Sequence, residues 1–300
     1  MIDKVTGELD ATAMKIHHLN LCTMCPFGGR LVSGGQGPVL AAGELVAHAL
    51  LVETARDGLV LVDTGMGLDD VRSPMRRLGP GFVALARPQL REENTAARQV
   101  ERLGFKRSDV RHIVVTHLDP DHAGGIPDFP DATVHLHRNE HAAATNPRTL
   151  NERNRYRKVH FAHGPKWQLH DAGGESWFGF ESLRLIADDV LLVPLPGHTR
   201  GHSAVAVRAD EPAGPEWLLH CGDAYFFHLE KDDPECCPPV LRNFQAAVAA
   251  DDATRRANAK RIRELYRKHG RTVRVFSAHC PHEYRALAET ERDRSGALPD

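Results

Sequence analysis

The chain has 300 residues, of which 41% are hydrophobic, and its formal net charge is −2. This composition can fill a large core, and the near-neutral charge excludes a general attraction to nucleic acid or to an anionic membrane surface. Residues 1–13 are polar, and no apolar run approaches the about 18 residues of a membrane-spanning helix. We therefore expect a cytoplasmic enzyme of small molecules, and a homodimer is compatible with the sequence.

Apolar, β-branched runs alternate with turn residues along most of the chain. They predict a first set of strands at 15–22, 45–53 and 58–62, and then a helix near 92–103 that starts at Asn94-Thr95 and stops at Gly104. Further strands are predicted at 110–115, 132–137, 183–187, 190–195, 203–208 and 216–220. A helix at 251–269 and a strand ending at His279 close the set. The strands thus fall into two series, each of which ends with a helix and a strand. This order predicts one α/β domain over 1–300, with two stacked sheets and helices outside.

Residues 139–180 interrupt this rhythm and are predicted to form an insertion that is rich in aromatic side chains. The insertion either packs onto the core or forms a lid or pocket wall. Its basic residues are expected to form a solvated face: Arg153, Arg155, Arg157 and Lys158. Residues 22–37 are rich in glycine and predict a mobile loop, and 285–300 predict a C-terminal helix and tail. Cys22 and Cys25 form a single Cys-x-x-Cys, for which we expect reduced thiols.

One short segment concentrates side chains that can bind metal ions. It places two imidazoles and two carboxylates within six residues, at His117, Asp119, Asp121 and His122. Imidazole and carboxylate together suit zinc, iron or manganese, and four donors are too many for one tetrahedral ion that keeps an open position. Two adjacent ions are the economical interpretation. The alternative is a polar turn in which these side chains cap backbone groups.

Three other predicted strands each end at a further candidate ligand. His198 follows the strand at 190–195, Asp223 follows the strand at 216–220, and His279 ends the last strand. This is the pattern expected where a rigid sheet positions functional loops.

Together with Asp63-Thr64-Gly65 after an early strand, these motifs resemble the metallo-β-lactamase-fold hydrolase superfamily over roughly residues 15–290. The lactonase and esterase branch is the most similar. The resemblance implies an αββα sandwich of two mixed β-sheets flanked by helices, and two divalent metal ions, with zinc preferred. The chief departure lies in the ligand run, where His-x-Asp-x-Asp-His replaces the usual His-x-His-x-Asp-His because Asp119 stands in place of the second histidine.

By this resemblance one metal is held by His117, Asp119 and His198, the other by Asp121, His122 and His279, and Asp223 bridges both. His282 is an alternative to His279, although a helix is expected to start there. Asp119 either ligates through one or both oxygens or lies too far back, and its carboxylate shifts the preference of that site toward iron or manganese. Asp63 and His202 are expected to orient ligands.

The predicted reaction is hydrolysis of a lactone or carboxylic ester by a hydroxide held between the two metals. Asp121, Asp223 and Tyr225 are the expected catalytic residues, and Tyr225 or a backbone N–H is expected to stabilise the oxyanion. Thioester or phosphodiester hydrolysis would use the same metals. An iron-dependent oxidoreductase, prompted by Asp119, and a binding protein without catalysis are alternatives of other classes.

Overall fold

A computed structural model describes residues 14–34, 38, 41–171, 173–186, 189–209 and 214–295. Residues 1–13, residues 35–37 of the predicted mobile loop and residues 296–300 of the predicted tail lie outside these ranges. Within them, no helix combines the length and the apolar character needed to cross a membrane.

The first sheet forms from the apolar runs in the first half of the chain. Its six strands lie in the order β1 (Lys15–Met24), β2 (Leu45–Glu53), β3 (Leu59–Val62), β4 (Val110–Val114), β5 (Thr133–His137) and β6 (Lys166–His170). Strands β1 to β3 pair antiparallel, whereas β3 to β6 pair parallel. The sheet is therefore mixed, as predicted.

The second sheet forms from the later runs and is also mixed. Its strands are β7 (Glu175–Trp177), β8 (Phe180–Ile186), β9 (Val190–Pro194), β10 (Ser203–Arg208), β11 (Trp217–His220) and β12 (Val273–Phe276), in the spatial order β12-β11-β10-β9-β8-β7. Only the β11–β12 pair is parallel among these neighbours.

Helices connect the strands and cover the outer faces of the sheets. They are α1 (Leu68–Arg72), α2 (Pro74–Arg77), α3 (Pro80–Ala86), α4 (Ala96–Arg102), α5 (Pro120–Ala123), α6 (Arg138–Thr145), α7 (Leu150–Arg155), α8 (Pro239–Val248), α9 (Asp252–His269) and α10 (Pro281–Ser295). Helix α4 follows Thr95 and ends before Gly104, and α9 begins after Asp251, which accepts a hydrogen bond from the Thr254 N–H. Both predicted helices are confirmed.

The core has three layers because successive strand residues face opposite sides of a sheet. In β3, Val60 and Val62 face the second sheet, whereas Leu61 faces the outer helices. The layer between the sheets is completed by side chains such as Leu192, Val205 and Phe276 from the second sheet. On the far side, α9 buries Ile262 and Leu265 against that sheet. This is the predicted αββα sandwich.

Residues 139–180, which interrupt the predicted rhythm of strands, form regular elements for much of their length. It contains most of α6, all of α7, and the edge strands β6 and β7, one for each sheet. Strand β6 was not predicted, because it is a half-exposed edge strand and lacks the apolar run that marks a buried strand.

Three histidines form a hydrogen-bonded row across β4, β5 and β6. His135 Nε2 lies 3.0 Å from His112 Nδ1, and His135 Nδ1 lies 3.0 Å from His170 Nε2. Burial, with the neighbouring imidazoles, lowers the pKa of His135 to about 3. His135 is therefore neutral in the folded chain near neutral pH. One of its ring nitrogens donates in one of the two contacts, and the other ring nitrogen accepts in the other.

Acid should weaken the fold through His135. Its folded-state pKa lies below the ordinary value of about 6.5, so the unfolded chain binds the proton first, and the free energy of unfolding should fall as the pH decreases from about 6.5 toward 3. The slope from this group is at most about 1.4 kcal/mol per pH unit. Urea unfolding of His135→Gln should show a shallower pH dependence than wild type or the exposed control His269→Gln. Equal slopes in all three proteins would refute this prediction.

Candidate metal centre

The strand ends of both sheets deliver polar side chains to one place. After β4 the chain carries His117, and Asp119 precedes Pro120, which favours extended backbone at Asp119 and begins the single turn of α5. That turn places Asp121 and His122 near His117, where the strand ends meet. The second sheet supplies His198 after β9, Asp223 after β11 and His279 after β12. All seven predicted ligands are thereby brought together.

Four of these side chains form a first donor group: His117, Asp119, His198 and Asp223. His198 Nε2 lies 3.1 Å from Asp119 Oδ2 and 3.3 Å from Asp223 Oδ2. His117 Nε2 lies 3.4 Å from Asp119 Oδ2 and 3.8 Å from Asp223 Oδ2. Ligands at about 2.0–2.1 Å from a tetrahedral zinc ion are about 3.3 Å apart, so this spacing fits one ion.

The second donor group consists of Asp121, His122 and His279, with the other oxygen of Asp223 facing it. Asp223 Oδ1 lies 3.0 Å from His279 Nε2 and 3.2 Å from His122 Nε2. Asp121 Oδ2 lies 3.6 Å and 3.9 Å from the same two nitrogens. One carboxylate therefore presents one oxygen to each group.

Buried atoms without hydrogen-bond partners test whether these residues fit metal ions. Within the described part of the chain, His117 Nε2 and Asp223 Oδ1 are buried and make no hydrogen bond. Such atoms cost free energy unless something satisfies them. Both are metal-donor atoms that face other donors, so the residues fit divalent ions.

The outer ring nitrogens set the orientation of the imidazoles. His279 Nδ1 donates to the Val46 carbonyl over 2.8 Å, and His122 Nδ1 donates to Asp63 Oδ2 over 2.8 Å. Since the Thr116 hydroxyl donates to Asp63, its oxygen can accept from His117 Nδ1 at 3.0 Å. Each of the three rings therefore directs Nε2 toward the donor groups, as a metal-binding histidine does.

Asp63 and His202, the two predicted orienting residues, both lie behind the donors. Asp63 has a φ of 58°, a left-handed conformation that aspartate tolerates, and its carboxylate accepts the Thr116 N–H over 2.7 Å. His202 donates from Nδ1 to the Leu195 carbonyl and accepts the Asp223 N–H over 2.9 Å. Gly222 permits this approach, because a Cβ there would lie 2.6 Å from His202 Nε2.

The carboxylates make the centre electronegative. Burial lowers the pKa of His122, but the charges of Asp223, Asp63 and Asp121 outweigh it and raise the pKa well above its ordinary value. The pKa of His279 is raised in the same way, chiefly by Asp223. The field that holds protons on these imidazoles also attracts metal cations, which displace such protons when they bind.

Arg155 was predicted to lie on a solvated face, and that prediction was wrong. Its side chain is only 8% exposed, and Nη1 lies 3.0 Å from Asp119 Oδ2 and 2.9 Å from His198 Nε2. Burial would raise the pKa of Asp119, but the charges of Arg155 and His117 hold it well below its ordinary value. Arg157 is also engaged, because Nε donates to the Arg77 carbonyl over 2.9 Å. Arg153 and Lys158 are exposed, as predicted.

Glu140, which sequence reasoning missed, ties two ligand loops together. It is fully buried, and its Oε1 accepts the Leu118 N–H over 3.0 Å and the Tyr156 hydroxyl over 3.1 Å. Its Oε2 accepts the Gly201 N–H over 3.0 Å. Leu118 lies between His117 and Asp119, so this one carboxylate fixes the backbone on both sides of the first donor group.

Tyr225 does not face the centre, contrary to its predicted catalytic role. Its buried hydroxyl donates to Glu283, at 3.0 Å and 3.2 Å from the two carboxylate oxygens. The next residue, Phe226, takes the position instead, with its ring 4.7 Å from His279 and 6.4 Å from His198 between centroids. His282 is likewise outside the donor groups, because its ring stacks on His228 at 4.2 Å at the start of α10.

Comparison with known proteins identifies the family. Residues 42–265 match the sequence model of the metallo-beta-lactamase superfamily. The chain belongs to this superfamily. A probable metallo-hydrolase of Mycobacterium tuberculosis is 44% identical over 289 residues, which are 95% of this chain and 86% of that protein. An N-acyl homoserine lactonase of Agrobacterium fabrum is 28% identical over 218 residues, which are 72% of this chain and 76% of that protein.

Solved structures of this superfamily share the fold. An N-acyl homoserine lactone hydrolase with the product N-hexanoyl-L-homoserine at its catalytic metal centre superposes with a TM-score of 0.68 at 21% identity, covering 92% of this chain and 96% of that one. A dizinc quorum-quenching lactonase superposes with a TM-score of 0.60 at 18% identity, covering 91% and 90%. The αββα architecture is thus that of the superfamily.

Glu140→Gln should destabilise the ligand loops. Glutamine keeps one carbonyl oxygen, so either the Leu118 or the Gly201 N–H would face an NH2 group, and we expect a loss of about 1–3 kcal/mol in the free energy of unfolding. Urea denaturation measures this loss, with the exposed Glu181→Gln as the matched control. An unchanged midpoint for Glu140→Gln would show that this carboxylate does not hold the loops.

Proposed function

We propose that the chain is a metal-dependent hydrolase that opens lactone rings or cleaves related carboxylic esters of small molecules. The observation that carries the proposal is Asp223, whose Oδ1 lies 3.0 Å from His279 Nε2 and whose Oδ2 lies 3.3 Å from His198 Nε2. A carboxylate shared by two donor groups suits a pair of ions about 3.5–4 Å apart. The N-acyl homoserine lactonases among the relatives support a lactone as substrate.

Each donor group would hold one ion, with Asp223 contributing to both. The first comprises His117, Asp119, His198 and Asp223, and the second comprises Asp121, His122, His279 and Asp223. Bound divalent ions polarise an ester carbonyl and lower the pKa of water to near 7. Imidazole and carboxylate donors at this spacing suit zinc, which we propose for both positions.

One of the chain's own carboxylates, Asp121, would move the proton of the reaction. Asp121 has a side-chain exposure of 10%, against 2% for His122 and for His279, so it is the most open donor of its group. We assign to it the proton that water loses on attacking the ester carbon. When the ring C–O bond breaks, that proton passes to the leaving alkoxide, and the product is a hydroxy acid.

Apolar side chains limit water around the donors. Phe226 packs on His279, and Phe244 follows it at 6.1 Å between ring centroids. An apolar wall beside two imidazoles suits an uncharged ester with an apolar acyl group better than a phosphodiester. Arg155 offsets the charge of Asp119, which weakens the argument for iron that Asp119 alone provides.

Removal of the metal should abolish ester hydrolysis. After chelation the protein should lose activity on a panel of N-acyl homoserine lactones, other lactones, aryl esters, thioesters and phosphodiesters, and zinc should restore lactone hydrolysis first. Asp223→Asn should lose activity by about a hundredfold or more, because both donor groups lose a negatively charged ligand. Circular dichroism would check its fold, and the exposed Asp232→Asn is the control.

Two results would overturn the proposal. One is lactone hydrolysis at the full rate by the metal-free protein. The other is a folded, metal-replete protein that cleaves phosphodiesters or thioesters while leaving every lactone and carboxylic ester intact.

A further inference from the structure

Arg155 enters the first donor group from the end of α7. Its Nη1 contacts Asp119 Oδ2 at 3.0 Å and His198 Nε2 at 2.9 Å, and Nη2 donates to the carbonyl of Val248 at the end of α8. Nη1 also lies 3.4 Å from the His198 carbonyl. The guanidinium is therefore fixed by three segments of the chain, and only 8% of the side chain is exposed.

This contact uses the atom that an ion in the first group would need. A guanidinium stays protonated and can only donate, so in this contact His198 Nε2 accepts with its single ring lone pair. Asp119 Oδ2, which lies 3.1 Å from the same nitrogen, then accepts from Nη1 and not from Nε2. A zinc ion would lie about 2.0–2.1 Å from the same nitrogen, on the same lone pair. With Nη1 only 2.9 Å from Nε2, the ion and the guanidinium exclude each other.

Charge acts in the same direction. Asp119 and Arg155 form a buried pair that is neutral overall, and breaking such a pair leaves an unpaired buried charge. An ion entering the first group must displace Arg155 and also meet its positive charge nearby. In the described part of the chain the recorded contacts of the second donor group include no arginine or lysine. His122 and His279 contact each other, Asp63, the Val46 carbonyl and the carboxylates of Asp121 and Asp223.

We propose that Arg155 occupies the cation position of the first donor group, so that the two metal positions are unequal. The inference rests on the proposed function, since it assumes that the donor groups bind divalent ions. One ion binds tightly in the second group. A second ion binds about a hundredfold more weakly, which is the scale of breaking one buried, hydrogen-bonded charge pair.

Metal titration tests this without measuring activity. The metal-free protein is titrated with Co²⁺, followed by visible absorption, and with Zn²⁺, followed by calorimetry. Wild type should bind one tight equivalent and one weak equivalent, and His279→Ala should lose the tight one. Arg155→Met keeps an apolar stem of similar length without the charge, and it should bind the second equivalent about a hundredfold more tightly.

Matched variants separate this effect from a general loss of structure. Arg153 lies on the same helix and its side chain is exposed, so Arg153→Met should bind metal as wild type does. Because Arg155→Met leaves Asp119 unpaired, the double variant Asp119→His with Arg155→Met provides a second test that buries no lone carboxylate. It should also bind two tight equivalents.

Each contrary result has a distinct meaning. Two equal, tight equivalents in wild type, or a tight equivalent that survives in His279→Ala, would overturn the inference while leaving the proposed function intact. An unchanged second affinity in both folded Arg155 variants would do the same. Failure of wild type to bind either ion tightly would overturn the proposed function, and the inference with it.

Discussion

Burying three carboxylates at one edge of two sheets is the constraint on which the rest of the site depends. Asp119, Asp121 and Asp223 lie in the two adjoining donor groups and are largely closed to water. Uncompensated, each would cost several kcal/mol, so the surrounding structure must supply positive charge or hydrogen-bond donors. Four histidines and Arg155 supply this charge and these donors, and backbone N–H groups fix the loops that carry the ligands. The charged groups of the centre therefore stabilise one another, and loss of one of them leaves its partners without compensating charge.

Two further carboxylates organise this unit without facing it. Asp63 accepts hydrogen bonds from the backbone N–H and the hydroxyl of Thr116, and also from Nδ1 of His122. Glu140 accepts N–H groups from a loop of each sheet. Asp63 thus joins segments within the first sheet, whereas Glu140 joins a loop of one sheet to a loop of the other. Through Glu140, the ligand geometry depends on the packing of the two sheets against each other. Precise donor spacing then follows from the rigidity of the sandwich.

The sequence predicted the buried strands, and the ligands that follow them, because a buried strand has a recognisable apolar run. Apolar runs mark these strands, and four of the ligands follow strand ends: His117, His198, Asp223 and His279. Their convergence could therefore be predicted from the sequence alone. Arg155 could not be, because its neighbours Asn151, Glu152 and Arg153 are polar and typical of a solvated helix. The predicted role of Tyr225 was wrong for a different reason. Beyond the end of β11 the alternation of side chains no longer applies, and a shift of one residue exchanged Tyr225 for Phe226.

The origin of the donors has a mechanical consequence. His117, Asp121 and His122 belong to the first sheet, whereas His198, Asp223 and His279 belong to the second. Any ion bound by both sets is a cross-link between the two halves of the sandwich, and the halves can separate only after it is released. Occupancy then adds RT ln(1 + [L]/Kd) to the free energy of unfolding. The ions that serve the proposed chemistry would therefore also hold the two halves of the fold together, so the free energy of unfolding would rise with the concentration of free metal.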